Sequence, residues 1–197
     1  AAKKKHNVVS IDPESHNFTL LNLNIFDNGF NDKVIAYPIA LASKNKLSNL
    51  NISKMGWGHS MHSFGADLKK DWVKQNPVFK QGSFGMCLDD VIEQIQFYPN
   101  YVKIDVDGNE LDVLHGCTKL LKSKSLKSIM IEIDNFDTES KNKIFNLMSQ
   151  NFFFIDNKIS TKSNFFLKKN HRVILKMRRG VLLPGAPNFV WLHSIIF

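Results

Sequence analysis

The segment YVKIDVDGNEL, at residues 101–111, carries the side chains that are best suited to chemistry. It predicts a strand, a glycine turn and a helix, and Lys103, Asp105 and Asp107 alternate with apolar residues along the strand. A buried parallel strand is usually apolar on both faces, and an unpaired buried charge is costly. These charges are therefore expected to be paired or to meet a ligand. Ligands of open α/β sheets bind at the carboxyl ends of strands, where Asp105 and Asp107 fall.

Asp12, Asp107 and Glu110 are acidic candidates for which a structural role is also open. Asp12 ends an apolar segment, where a carboxylate can accept hydrogen bonds from ribose hydroxyls. The alternative is that Asp12 caps a helix beginning at Pro13. Asp107 and Glu110 have the spacing of a capping box at a helix start, and a role at the substrate is the alternative.

Two histidines, His59 and His62, lie in a polar stretch rich in glycine and serine. With Asp105 and Asp107 they could bind a divalent metal, but their spacing is not a zinc signature, and we predict no metal site. We interpret His59 as a candidate general base that acts with Asp105 on a hydroxyl; a solvated or stacking histidine is the alternative. The loop at residues 56–85 is predicted to cover the site and to be more mobile than the sheet.

Hydrophobic periodicity predicts strands that alternate with helices, which is typical of a doubly wound, mostly parallel α/β sheet. Residues 43–85 lack this periodicity and are predicted to be loop with short helical pieces. Pro38 indicates an edge or irregular position in its strand. The last two strands would form a hairpin-like pair that makes the sheet mixed. The predicted strands, within a single domain over residues 1–197, are residues 8–11, 34–41, 101–106, 128–133, 152–155, 172–177 and 189–196.

The composition is that of a folded, basic protein. With 197 residues and 43% hydrophobic residues, the chain can bury a sizeable core. No apolar run approaches the roughly 20 residues of a membrane span. Only two cysteines occur, which favours a reducing, cytoplasmic compartment. The net charge of +8 permits an anionic partner, but no nucleic-acid-binding motif is visible, and we do not expect a nucleic-acid partner.

Five segments occur in the order seen in the FkbM-type methyltransferases, which the sequence resembles. They are SIDPE at 10–14, ALAS at 40–43, CLDDV at 87–91, VKIDVDGNE at 102–110 and VLHG at 113–116. Glu132 is similar to the acidic end of the family's next strand. The resemblance implies a class I fold with the strand order 3-2-1-4-5-7-6 and S-adenosylmethionine as the cofactor.

The resemblance also implies roles for individual residues. Asp12 would bind the cofactor's ribose, and Ala40 and Leu41 would lie at its adenine. Asp105 would lie near the transferred methyl group or the acceptor hydroxyl. The implied reaction is O-methylation of a small molecule or a sugar, with in-line transfer between positioned reactants. We further expect Lys103 and Glu132, on adjacent strands, to form a buried ion pair.

The sequence departs from the family pattern at its start. The family's first strand and glycine-rich turn would precede residues 8–11, but only seven residues stand there. We therefore expect an N-terminally incomplete chain, in which the strands at 8–11 and 102–106 lie on either side of a missing central strand. A non-catalytic binding or scaffold protein derived from this fold is the alternative function. A nucleic-acid methyltransferase is a third possibility, which rests on charge alone.

Overall fold

The computed structural model describes residues 1–65, 77–133 and 137–170 and the backbone of residues 188–193. These residues form a mixed α/β fold with two β-sheets. The strands are β1 (Asn7–Ile11), β2 (Val34–Tyr37), β3 (Ala40–Leu41), β4 (Lys46–Ile52), β5 (Ser63–Phe64), β6 (Phe79–Met86), β7 (Tyr101–Asp105), β8 (Ser128–Glu132), β9 (Phe153–Ile155), β10 (Asn164–Lys169) and β11 (Asn188–His193). The helices are α1 (Ser15–Asp27), α2 (Leu88–Ile95), α3 (Glu110–His115), α4 (Thr118–Lys122) and α5 (Thr138–Gln150).

The larger sheet has seven strands in the order β2-β1-β11-β7-β8-β10-β9. Neighbours from β2 to β8 are parallel, whereas β10 is antiparallel to both β8 and β9. The prediction of an α/β fold is confirmed, but the sheets are mixed, so a doubly wound parallel sheet is not confirmed. The order corresponds to the one that the resemblance implies, with β11 in the place of the family's first strand.

The centre of this sheet differs from the predicted gap. As predicted, β1 and β7 lie parallel on either side of a central position. That position is filled by β11, which pairs Leu192 with Ile11 and His193 with Asp105. The predicted hairpin-like placement of residues 189–196 is therefore wrong, and residues 172–177 lie outside the described residues. Two flanking strands expose unpaired N–H and C=O groups, and β11 satisfies both sets.

The smaller sheet, ordered β3-β6-β4-β5, corrects the predicted loop at residues 43–85. Strands β4 and β6 are antiparallel and pair over seven positions, from Lys46 opposite Gly85 to Ile52 opposite Phe79. Their sequences, KLSNLNI and FKQGSFGM, carry serine, asparagine, glutamine and glycine where apolar alternation would reveal a strand. These strands are therefore identified by their pairing with each other, and not by the pattern of either sequence. Pro38 separates β2, at the edge of the larger sheet, from β3 in the smaller one.

The main core is a cluster of buried aliphatic residues from the larger sheet and from α2 to α5. Ile104 of β7 and Ile131 of β8 are fully buried, as are Leu114 of α3 and Met148 of α5. Leu50, Ile52 and Phe64 belong to a second cluster under the smaller sheet. Ile144 and Met148 are the residues of α5 that are buried in this core.

Gly116, at the end of α3, lies against the backbone of the strand end at Ala42. A Cβ atom added there would overlap the carbonyl oxygen of Ala42 and lie 3.3 Å from the Cα atom of Cys87. Because backbone cannot rotate away as a side chain can, we expect Gly116→Ala to lower the free energy of unfolding by roughly 2–3 kcal/mol. Urea unfolding followed by circular dichroism measures this loss.

Gly82 provides the matched control for this substitution. It lies in β6, and an added Cβ atom would meet no heavy atom of the described structure within 4 Å. Gly82→Ala should therefore leave stability within about 0.5 kcal/mol of the wild type. Equal losses in the two variants would contradict the close approach of α3 to Ala42.

Candidate functional site

A small pocket, with a cavity volume of about 40 Å³, opens at the carboxyl ends of β1 and β7, beside the smaller sheet. Its apolar wall includes Ile39, Ala40, Leu41, Leu50 and Phe64. Its polar side chains are Asp12, Glu14, His62 and Asn109. The position agrees with the rule that ligands bind at the carboxyl ends of strands in α/β sheets.

Asp12 directly follows β1 and is 1% exposed. Its Oδ1 atom accepts a hydrogen bond from the Glu14 N–H at 2.9 Å. Its Oδ2 atom is buried and has no partner among the described residues. Burial raises the pKa of Asp12 to about 7, because the ionised carboxylate is poorly solvated there. The pocket therefore contains an unsatisfied acceptor that a ligand's hydroxyl could reach.

The alternative interpretation of Asp12 as a helix cap is wrong. Helix α1 begins at Ser15, and its N-cap is Glu14, whose side chain accepts from the Asn17 N–H. That bond, at 2.7 Å, satisfies one of the free amides of the first turn. The carboxylate of Asp12 therefore does not cap α1, and its predicted role at a ligand's ribose stays a prediction.

Ala40 and Leu41, which the resemblance placed at the adenine, are buried and lie in the pocket wall. They form β3 and therefore belong to the smaller sheet. The structure thus brings three of the predicted cofactor-binding residues, Asp12, Ala40 and Leu41, to one pocket. Their binding roles stay predictions.

His62 is a polar residue of the pocket that the sequence did not single out over His59. It is 6% exposed, and its Nδ1 atom accepts from the Ser53 N–H at 3.3 Å. Its Nε2 atom is buried and has no partner in the described part of the chain. Burial lowers the pKa of His62, so its ring is neutral near pH 7. The sequence gives no reason to prefer one of the two histidines. The path of the chain through residues 53–62 brings His62, and not His59, to the pocket wall.

The segment at residues 53–62 is held against the larger sheet by two side chains. Asn17 of α1 accepts from the Gly58 N–H and donates to the carbonyl oxygen of His59, both at 2.9 Å. Asp107 accepts from the Met61 N–H at 2.6 Å. His59 is half-buried in this segment and is not part of the described pocket wall. These hydrogen bonds thus fix residues 58–61 of the predicted loop near the pocket. The side chain that the loop places in the pocket wall is His62 and not the predicted His59.

Asp105, the last residue of β7, is buried next to Lys103. The Lys103 Nζ atom lies 2.6 Å from Asp105 Oδ2. Glu132, at the end of β8, has a pKa raised to about 7, first because its carboxyl hydrogen-bonds Asp105 and second because of burial. Lys103 therefore forms an ion pair with Asp105, and not with Glu132 as predicted. Asp105 and Glu132 form a carboxyl pair with one lysine beside it.

The predicted capping box at the start of α3 is wrong. The N-cap of α3 is Asn109, without a side-chain cap bond. Glu110 accepts from the Gly108 N–H at 2.9 Å, and Asp107 binds Met61 instead of the helix. Asp107 has a φ of 50°, a left-handed conformation that aspartate tolerates better than most residues. Asp107 thus connects the turn after β7 to the segment that carries His62.

Two further observations concern metals and membranes. Among the residues that the structure describes, no three histidine, cysteine or carboxylate side chains are grouped so that they could hold a metal ion. Within the same residues, none of the helices has the length and apolar character needed to cross a membrane.

The chain is similar to known methyltransferases. A model of the methyltransferase FkbM domain matches residues 1–163. The fold is similar to the crystal structure of a methyltransferase FkbM from Methylobacillus flagellatus KT, with a TM-score of 0.50 and 14% sequence identity. The match covers 82% of this chain and 36% of that chain, so this chain spans well under half of its neighbour's length. No curated protein sequence matches.

Proposed function

The chain belongs to the methyltransferase FkbM domain family, and on that premise we propose that it is an S-adenosylmethionine-dependent O-methyltransferase. The family supports methyl transfer in general. The cofactor, the oxygen nucleophile and the acceptor, a hydroxyl on a small molecule or a sugar, are our proposals.

The observation that carries this proposal is the unsatisfied Oδ2 atom of Asp12 in the pocket. A buried polar atom without a partner is rare in folded proteins and is expected to bind something. The residues present fit the proposed cofactor. Asp12 would accept from the ribose hydroxyls, and the apolar wall at Ala40 and Leu41 would contact the adenine. When bound, S-adenosylmethionine supplies an electrophilic methyl group on its sulfonium.

The chain's own contribution is to position the reactants and to accept a proton. Lys103 stabilises the negative charge of Asp105, and Glu132, whose pKa is about 7, can hold a proton beside it. Two neighbouring carboxyls in different protonation states are a common arrangement for acid–base work. We propose Asp105 or His59 as the group that takes the proton of the acceptor hydroxyl.

Titration calorimetry of the full chain with S-adenosylmethionine tests the proposed function, together with release of S-adenosylhomocysteine. Because a base acts in the transition state, we expect His59→Ala to lower turnover by roughly tenfold or more and cofactor affinity by less than twofold. Turnover unchanged in His59→Ala would assign the proton to Asp105 alone.

A non-catalytic binding protein derived from this fold is the second candidate, because a pocket with an unsatisfied carboxylate oxygen can bind a ligand with or without turnover. This candidate predicts that the protein binds S-adenosylmethionine without turnover in the presence of sugars and small hydroxyl compounds. A nucleic-acid acceptor would instead show binding that weakens steeply with salt.

The cytoplasmic location is also a proposal. Cys87 and Cys117 are both free thiols in the structure. Free cysteines are typical of proteins in reducing compartments.

A further inference from the structure

The hydrogen bonds around His62 decide which ring nitrogen of its neutral imidazole carries the hydrogen. The Ser53 hydroxyl donates to the carbonyl oxygen of Ser60 at 2.9 Å, and the Ser53 N–H donates to His62 Nδ1. An Nδ1 atom that accepts carries no hydrogen, so the neutral ring has its hydrogen on Nε2. His62 therefore presents a buried N–H donor at Nε2, which makes no hydrogen bond within the described residues, although the backbone of His59 lies close enough to the ring to raise its pKa.

This donor and the unsatisfied acceptor of Asp12 belong to the same pocket. Asp12 lies on the side of β1, whereas His62 directly precedes β5 on the side of the smaller sheet. On that side the wall is apolar, with Leu50 and Phe64 as neighbours in the pocket. A ligand that satisfies both groups has hydroxyls at one end and a flat, apolar body with acceptor atoms on its edge at the other.

A nucleoside has this distribution of groups. Its ribose supplies hydroxyl donors, and its purine base has apolar faces and ring nitrogens that accept hydrogen bonds. We propose that His62 is a nucleoside-specificity residue, whose Nε2–H donates to a ring nitrogen of the adenine base. This inference rests on the proposed function, since it assigns a contact to the proposed cofactor.

The anchoring of residues 53–62 explains why this donor can be specific. Asn17 holds Gly58 and His59, Asp107 holds Met61, and Ser53 holds the ring of His62 itself. A side chain fixed from both ends of its segment loses little freedom on binding. His62 is thus preorganised, and a ligand lacking the matching acceptor would leave its N–H unsatisfied.

Analogues of S-adenosylhomocysteine in which one ring nitrogen is replaced by CH test the proposal by calorimetry. For the wild type, we expect one of the 1-deaza, 3-deaza and 7-deaza analogues to bind about tenfold more weakly than the parent compound. For His62→Leu, the parent should bind about tenfold more weakly, and that analogue should no longer differ from it. His62→Gln, which keeps a donor, should recover part of the affinity.

Two controls separate this contact from general damage. His115→Leu changes an exposed histidine at the end of α3 and should leave all affinities unchanged. Nitrogen-15 NMR on the wild type should show hydrogen on His62 Nε2 in the free protein and a shifted Nε2–H signal with S-adenosylhomocysteine bound. This measurement needs no variant to fold.

Three results would overturn the assignment. Deaza penalties that are equal in the wild type and in His62→Leu would show that His62 does not contact the base. A penalty for 2′-deoxy or 3′-deoxy analogues that disappears in His62→Leu would place the contact on the ribose. An Nε2–H signal unchanged by bound ligand would exclude any contact. Failure of the wild type to bind S-adenosylhomocysteine at all would contradict the proposed function itself.

Discussion

Asp12→Asn is expected to stabilise the protein at pH 8 while weakening its binding of S-adenosylmethionine at least tenfold. The pKa of Asp12 is about 7, above its ordinary 3.8, because burial penalises the carboxylate. The contribution of Asp12 to the folding stability of the protein is therefore fully present below about pH 4, and it is lost as the pH rises through 7. Asparagine keeps an acceptor for the Glu14 N–H without the charge. We expect a gain of roughly 1–3 kcal/mol at pH 8 and little change at pH 4.

The loss of binding has a separate cause. Ribose hydroxyls donate best to an ionised carboxylate, and an amide accepts more weakly on one oxygen only. In the wild type, affinity should therefore rise between pH 6 and pH 8 as Asp12 ionises, whereas Asp12→Asn should show no such rise. Urea unfolding at the two extremes of pH and calorimetry at several pH values measure both effects.

The matched control is Asp27→Asn, at the exposed end of α1. It should change neither stability nor affinity. If Asp12→Asn bound the cofactor as tightly as the wild type does, Asp12 would not be a cofactor-binding residue. A change in the free energy of unfolding that does not depend on pH would contradict the raised pKa of the buried Asp12 carboxyl.

Lys103→Met is the substitution with the largest expected loss of stability. Lys103 and Asp105 are 15% and 12% exposed in their side chains, and removing the lysine takes a close positive charge away from a buried carboxylate. Glu132 lies beside them, and the charge of Lys103 lowers its pKa, so that this pKa should rise further above 7 in the variant. We expect a loss of roughly 3 kcal/mol at pH 8.

The pH dependence of this loss follows from the sign of the shift. A carboxyl with a raised pKa costs stability as the pH rises through that pKa, so the loss should be smaller at pH 5, where the pair Asp105 and Glu132 shares a proton. Urea unfolding at the two pH values and carbon-13 NMR titration of Glu132 measure it. Lys119→Met is the control, because its pair with Glu93 is 72% and 66% exposed and should matter by less than about 0.5 kcal/mol. Similar losses in both variants would mean that the Lys103 pair is solvated.

The sequence predicted correctly those elements whose own pattern of apolar residues is sufficient to identify them. Strands β1, β7 and β8 follow from their apolar spacing, and the predicted residues Asp12, Ala40 and Leu41 lie in one pocket. The smaller sheet did not follow, because its strands are defined by their pairing across 46–52 and 79–86. Such pairing is a property of two distant segments together.

The site shows the same limit at the level of single residues. Lys103 is level with Met130 across the strands, and Asp105 is therefore nearer to Glu132 than Lys103 is. A strand register, which spacing alone cannot supply, thus decided the ion pair. Likewise, the hydrogen bonds of Asn17 and Asp107 decide that His62 rather than His59 lines the pocket.

The central position of β11 has a consequence for the order of assembly. Residue 7 pairs with residue 188, so the two halves of the larger sheet join through contacts of very high sequence separation. Closing such a long loop is entropically unfavourable and is a slow step in folding. On the ribosome, β1 and β2 would emerge long before their neighbour, with one edge open to other chains. The pocket at the end of β1 would thus lie on a complete sheet only after residues 188–193 have left the ribosome.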